Sequence, residues 1–130
     1  MIASHSLAPF GPIIVVDDDP AVANSLVFAL EVDGYSVRTF ANAREMLSAA
    51  DLPRSGCLVI DYGLPDSDGL TLLDQLRQKG FHQPAILITT NPKPFLVRRA
   101  QIQGVRIVEK PLLRNSLGEA IRNAIGMPPN

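Results

Sequence analysis

The chain has little to tie it to a disulfide framework, a membrane or a nucleic acid. Only one of its 130 residues is a cysteine, Cys57. A lone thiol makes no internal disulfide, so a reducing compartment is compatible with the sequence. Cys57 sits inside an apolar run and reads as a small core residue. No stretch reaches the roughly 18 apolar residues of a membrane span. Charge of neither sign is in excess, with 12 basic and 13 acidic residues and a net −1. That balance gives no sign of general nucleic-acid affinity, which needs a basic face or stripe. The first dozen residues lack the charged start and long apolar stretch of a signal peptide, so a cytoplasmic location is expected. No repeat or low-complexity tract is visible.

What the chain does have is ample apolar content, 46%, for one buried core. Its length predicts a single domain. The expected organisation is a loose lead-in over 1–11, the domain over 12–126 and a tail over 127–130.

Strand and helix signals alternate along the domain. The run 13–16 is β-branched and apolar throughout, as in a strand buried on both faces. Asp19 and Pro20 then supply a cap and a first helical residue. Val22, Leu26, Ala29 and Leu30 mark the inner face of a helix over 20–33, and Gly34 ends it. A second strand is expected over 35–40. Asn42 caps a helix carrying Ala43, Met46, Leu47 and Ala50. The third strand, 57–60, runs into Asp61 and a loop over 62–69 rich in Gly, Pro and Asp. Leu72, Leu73 and Leu76 mark the next helix, up to Gly80. Strand 85–88, a proline-containing loop over 89–94, a short helix over 95–103 and strand 105–108 follow. A closing helix carries Leu113, Leu117, Ala120, Ile121 and Ala124.

Five βα units predict an α/β fold with a five-stranded parallel sheet and helices on both faces. The flavodoxin-like order 2-1-3-4-5 fits best, with its switch point between strands 1 and 3. Asp17 and Asp18 follow strand 1, and Asp61 follows strand 3. Three carboxylates at one edge repel each other unless a hard cation with a taste for oxygen lies between them. Mg²⁺ fits, because it keeps some waters and pairs with phosphate oxygens. Gly63 can add a backbone carbonyl. Asp19 is better read as the helix cap. A carboxylate such as Asp61 can act as a nucleophile toward phosphorus. Thr89 and Lys110, each ordinary alone, together bring a hydroxyl and an ammonium to the same edge for phosphate oxygens. The Lys110–Pro111 bond is a candidate cis peptide.

The stretches IIVVDDDP, CLVIDYGLPDSDGL, AILITT and IVEKP, in this order, resemble the receiver domain of two-component response regulators, from about 12 to 125. The resemblance implies that Asp61 is the phosphoacceptor. It implies Asp18 as the direct acidic metal ligand, Asp17 acting mainly through water, and Gly63 giving its carbonyl. Thr89 and Lys110 would read the phosphoryl group. The donor would be a phosphohistidine on a sensor histidine kinase or phosphotransfer protein. The only catalysis implied is of the chain's own phosphorylation and dephosphorylation. Phosphorylation would switch a surface made by the fourth helix, fifth strand and fifth helix, where homodimers also form, toward a downstream protein target or output domain.

The sequence departs from the family pattern at four places. Ile107 stands where an aromatic residue is usual. Thr90 follows Thr89 where Ala or Gly is usual, and would crowd the phosphoryl pocket. The segment from Thr89 to Lys110 is one residue short and holds Pro92 and Pro94, so the fourth helix is expected to be short or displaced. Gly63 has no side chain to steer an attacking water, which predicts slow loss of phosphate. The chain reads as a stand-alone receiver, with the receiver half of a longer DNA-binding regulator as the alternative. A receiver-like binding module that is never phosphorylated is another. A phosphatase of the haloacid dehalogenase type fits less well, because Ala21 stands where its motif wants Thr or Val.

Overall fold

A computed structural model of the protein describes residues 11–110, 112 and 116–126. Five strands and five helices alternate along it. They are β1 (Ile13–Val16), α1 (Pro20–Val32), β2 (Val37–Phe40), α2 (Ala43–Ser48) and β3 (Cys57–Asp61). Then come α3 (Gly69–Gln78), β4 (Ala85–Thr89), α4 (Pro94–Ile102), β5 (Arg106–Glu109) and α5 (Ser116–Ala124). The sheet is parallel throughout, in the order β2-β1-β3-β4-β5. The expected topology is therefore the observed one.

The period-2 alternation of strand side chains sorts the core into two layers. Ile14, Val16, Leu58, Ile60 and Leu87 face α2, α3 and α4. Ile13, Val15, Cys57, Val59, Ile86 and Ile88 face α1 and α5. The central strands β1, β3 and β4 are buried at every residue, which is why they read as unbroken apolar runs. Edge strands β2 and β5 are only partly covered, and each carries an arginine, Arg38 and Arg106. Charge on an edge strand discourages a further strand from adding there. Cys57 is a core residue, and burial pushes its thiol up to about 12.

Local chemistry sets the joints. The Asp19 carboxylate accepts from the Ala21 amide, with Pro20 opening α1. Asn42 caps α2 by accepting from the Glu45 amide at 2.8 Å. At the end of α1 the Tyr35 amide donates to Leu30 O and the Gly34 amide to Glu31 O, with Gly34 at φ +100°. This is the Schellman arrangement, which glycine enters without strain. The same long closure recurs from Phe81 to Leu76 and from Val105 to Ala100.

A few boundaries differ from the sequence reading. Tyr35 closes α1 instead of opening β2. Ala29 is exposed on the outer side of α1. Ala50 lies beyond α2, which stops at Ser48. The fourth helix is short, nine residues, and its N-cap Lys93 makes no side-chain cap bond. Pro111 and Leu113 lie outside the described residues, and with them the cis-peptide expectation. Among the described residues no helix is long and apolar enough to cross a membrane.

Candidate functional site

The site lies at the carboxyl edge of the sheet, where β1, β3, β4 and β5 end together. Val16 and Ile60 are register partners in β1 and β3. Asp17 and Asp61 each follow by one residue, so the two acids stand side by side. Carboxylate oxygens of Asp17, Asp18 and Asp61 all lie within 4.8 Å of one another. Asp17 and Asp61 are buried, at 4% and 7% exposure, while Asp18 is open to solvent.

Asp17 is fixed from both ends. Its amide donates to Phe40 O at 3.1 Å, and its Oδ1 accepts from the Asp19 amide at 2.9 Å. Its Oδ2 is buried with no hydrogen-bond partner among the described residues. Burial is the main influence raising the Asp17 carboxyl above its ordinary 3.8. The neighbouring charges of Asp61 and Asp18 add to it. The Asp19 amide and Lys110 oppose it.

Lys110 reaches into this acidic group from the end of β5. Its Nζ lies 3.0 Å from Asp61 Oδ1 and 4.0 Å from Asp17 Oδ2. Burial works against its charge. The hydrogen bond to Asp61 and the charges of Asp61, Asp17 and Asp18 outweigh that, and hold its pKa above the ordinary 10.5. The Lys110 amide also donates to Thr89 O at 2.8 Å. That bond ties the lysine to the end of β4, where Thr89 is 6% exposed. Asp61 pairs in register with Ile88, the residue before Thr89.

The loop after Asp61 folds back on itself. Tyr62 O accepts from the Gly69 amide at 2.9 Å, and Gly63 pairs with Asp68 across the loop. Among the described residues, a Cβ built on Gly63 would meet Asp61 Oδ2 alone, at 4.0 Å, so this glycine lies beside the carboxylate. Gly69 opens α3 in a tight place. A Cβ there would lie 2.7 Å from Asp61 O, 2.9 Å from Leu87 Cδ1 and 3.0 Å from Ile60 Cγ2. The lack of a side chain lets α3 start against the end of β3.

Thus Asp17, Asp18, Asp61 and Lys110 converge, with Gly63 and Thr89 at their margin. Thr90 is exposed, and the next residue, Asn91, takes the left-handed conformation at φ 47°. Ile107 is half-buried and packs on the core layer shared with α4. The sequence reading missed Asp66, whose carboxylate accepts from two amides of α2. It also missed the Arg99–Asp68 pair at 3.6 Å, which links α4 to the cap of α3. No local pattern signals either contact, because the partners are far apart in the chain.

Residues 13–122 match the family model described as the response regulator receiver domain. The chain belongs to that family. Receivers are signalling domains rather than classical enzymes, and this one is a receiver of two-component response regulators. It is 34% identical over 116 residues to the transcriptional regulatory protein FixJ of Azorhizobium caulinodans, covering 88% of the chain and 55% of FixJ. The receiver spans about half the length of the first curated relatives it matches. Among solved structures it is similar to FixJ-N, with 30% identity and a TM-score of 0.79 over 92% of the chain and 96% of that structure. It is also similar to the beryllofluoride-activated NtrC4 receiver domain dimer. That match has 26% identity and a TM-score of 0.80, over 88% of the chain and 96% of that structure.

Proposed function

We propose that this receiver, residues 12–126, takes a phosphoryl group onto Asp61 from a phosphohistidine, with Mg²⁺ bound by its acidic edge. The observation that carries the reading is the Lys110 ammonium 3.0 Å from Asp61, beside three carboxylates within 4.8 Å of each other. Three negative groups face one positive group, and Asp17 Oδ2 is buried without a hydrogen bond among the described residues. Such a donor set fits a hard divalent cation. Asp18 would bind it directly, Asp17 mainly through water, and Asp61 and the Gly63 carbonyl would complete the protein's share. When bound, the ion neutralises charge on the attacking and transferred oxygens.

Asp61 supplies the nucleophile. One of its oxygens attacks the phosphorus, an O–P bond forms and the P–N bond to the donor imidazole breaks. The leaving nitrogen takes up a proton from solvent. Lys110 holds Asp61 in place before transfer and pairs with a phosphoryl oxygen afterwards. The Thr89 hydroxyl donates to another. Hydrolysis by water later returns Asp61 to its free form. The donor is a sensor histidine kinase or phosphotransfer protein. The output is a protein contact through α4, β5 and α5, with a downstream target, an output domain or a second copy. The expected location is the cytoplasm.

Intact mass after incubation with Mg²⁺ and acetyl phosphate tests the reading. One phosphoryl adduct on the wild type, and none on Asp61→Asn, is the expected outcome. No adduct on either protein, with Mg²⁺ binding shown separately, would point to a binding module that is not phosphorylated.

A further inference from the structure

The loop that carries Gly63 is held at its tip by a contact that phosphoryl transfer does not require. Its base is closed by the Tyr62–Gly69 hydrogen bond and the Gly63–Asp68 pairing. Leu64 turns into the core. Beyond it, Pro65 and Asp66 are exposed. Asp66 is nevertheless engaged through both carboxylate oxygens. Oδ1 accepts from the Ala43 amide at 3.0 Å, and Oδ2 from the Arg44 amide at 2.9 Å. These are the first two residues of α2. The Arg44 amide is the main influence holding the Asp66 carboxyl below its ordinary value, and the Ala43 amide adds to it. Two contacts from one planar group fix orientation as well as distance.

The rest of the α2 start has its own caps. Asn42 Oδ1 takes the Glu45 amide, and Glu45 Oε1 takes the Ala41 amide at 3.1 Å. Asn42 therefore caps α2 and, among the described residues, has no hydrogen bond to the loop. We infer that Asp66 is a positioning residue for the acidic site, clamping the 62–68 loop to α2 and so setting Gly63 in its place beside Asp61. The inference rests on the metal reading above. A residue that only capped α2 would stabilise that helix and leave the site indifferent.

The test compares wild type, Asp66→Ala, Asp66→Asn and Asn42→Ala. Hydrogen exchange is followed in metal-free protein over 62–68 and 43–48, and Mg²⁺ affinity is measured by NMR titration. Asp66→Ala is expected to speed exchange in the loop and to weaken Mg²⁺ binding about tenfold, the lower end for a residue acting through a ligand's surroundings. Asp66→Asn keeps one acceptor oxygen and should fall between. Asn42→Ala should speed exchange in α2 alone and leave Mg²⁺ affinity unchanged. Unchanged loop exchange and affinity in Asp66→Ala would overturn the inference, as would an equal loss in Asn42→Ala. A wild type that binds no Mg²⁺ would overturn the metal reading instead, and loop exchange would still decide whether Asp66 holds the loop.

Discussion

Burying Asp17 as a carboxylate works against the fold of the metal-free protein. Burial raises its pKa, so the folded chain holds this proton more tightly than the unfolded chain does. Below the ordinary 3.8 both states are protonated and there is no cost. The cost grows as pH rises through the folded value and is complete above it. Asp17→Asn should therefore raise the Tm of the metal-free protein at neutral pH by a few degrees. The gain should vanish below pH 3.8. Thermal melts in EDTA at the two pH values check this, and a neutral-pH Tm at or below wild type refutes it. Gly63 makes a second prediction at this scale. With no side chain to guide water, phosphorylated wild type should keep its adduct several-fold longer than Gly63→Asn. A time course of intact mass decides it.

At the scale of elements, the site is precise because helices start where strands stop. Gly69 shows this best. In an ordinary helix, alanine is better than glycine by about 1 kcal/mol. Here a Cβ would press on Asp61 O and two core side chains. Gly69→Ala should thus reverse the sign and cost about 1–3 kcal/mol, the range for overpacking. Urea denaturation measures it, and a stabilised variant would show that α3 can shift freely. The motifs at strand ends were legible because chemistry and punctuation coincide there. Asp19-Pro20 and Asn42 carry their capping role in residue type alone. Tyr35 reads as a strand residue in sequence because an aromatic residue suits a strand and a helix closure equally, and its bond to Leu30 O separates them. Ala29 reads as an inner-face residue in sequence because alanine fits either side of a helix.

The scale of the whole molecule brings in the surface beyond the site. Phe95 and Ile102 are 50% and 86% exposed, seven residues apart on one face of α4. A dimer through α4, β5 and α5 would cover them. Light scattering with Mg²⁺ and beryllofluoride should show doubled mass for wild type. Phe95→Asp combined with Ile102→Asp should stay monomeric. A wild type that remains monomeric would rule out the dimer and leave this face to another partner.

The sequence by itself determined the five βα units, the strand order and the polar residues that gather at the acidic edge. It could do so because strands buried on both faces must be apolar throughout, which makes each polar residue at their ends conspicuous. Only the tertiary structure decided which contacts cross between elements. Asp66 on α2, Arg99 on the α3 cap and the fit of Gly69 against Asp61 depend on partners 8 to 31 residues away. Such partners meet only after the sheet has set the distance between loops. An exposed aspartate in a polar loop looks the same in sequence whether it holds a neighbouring helix or nothing at all.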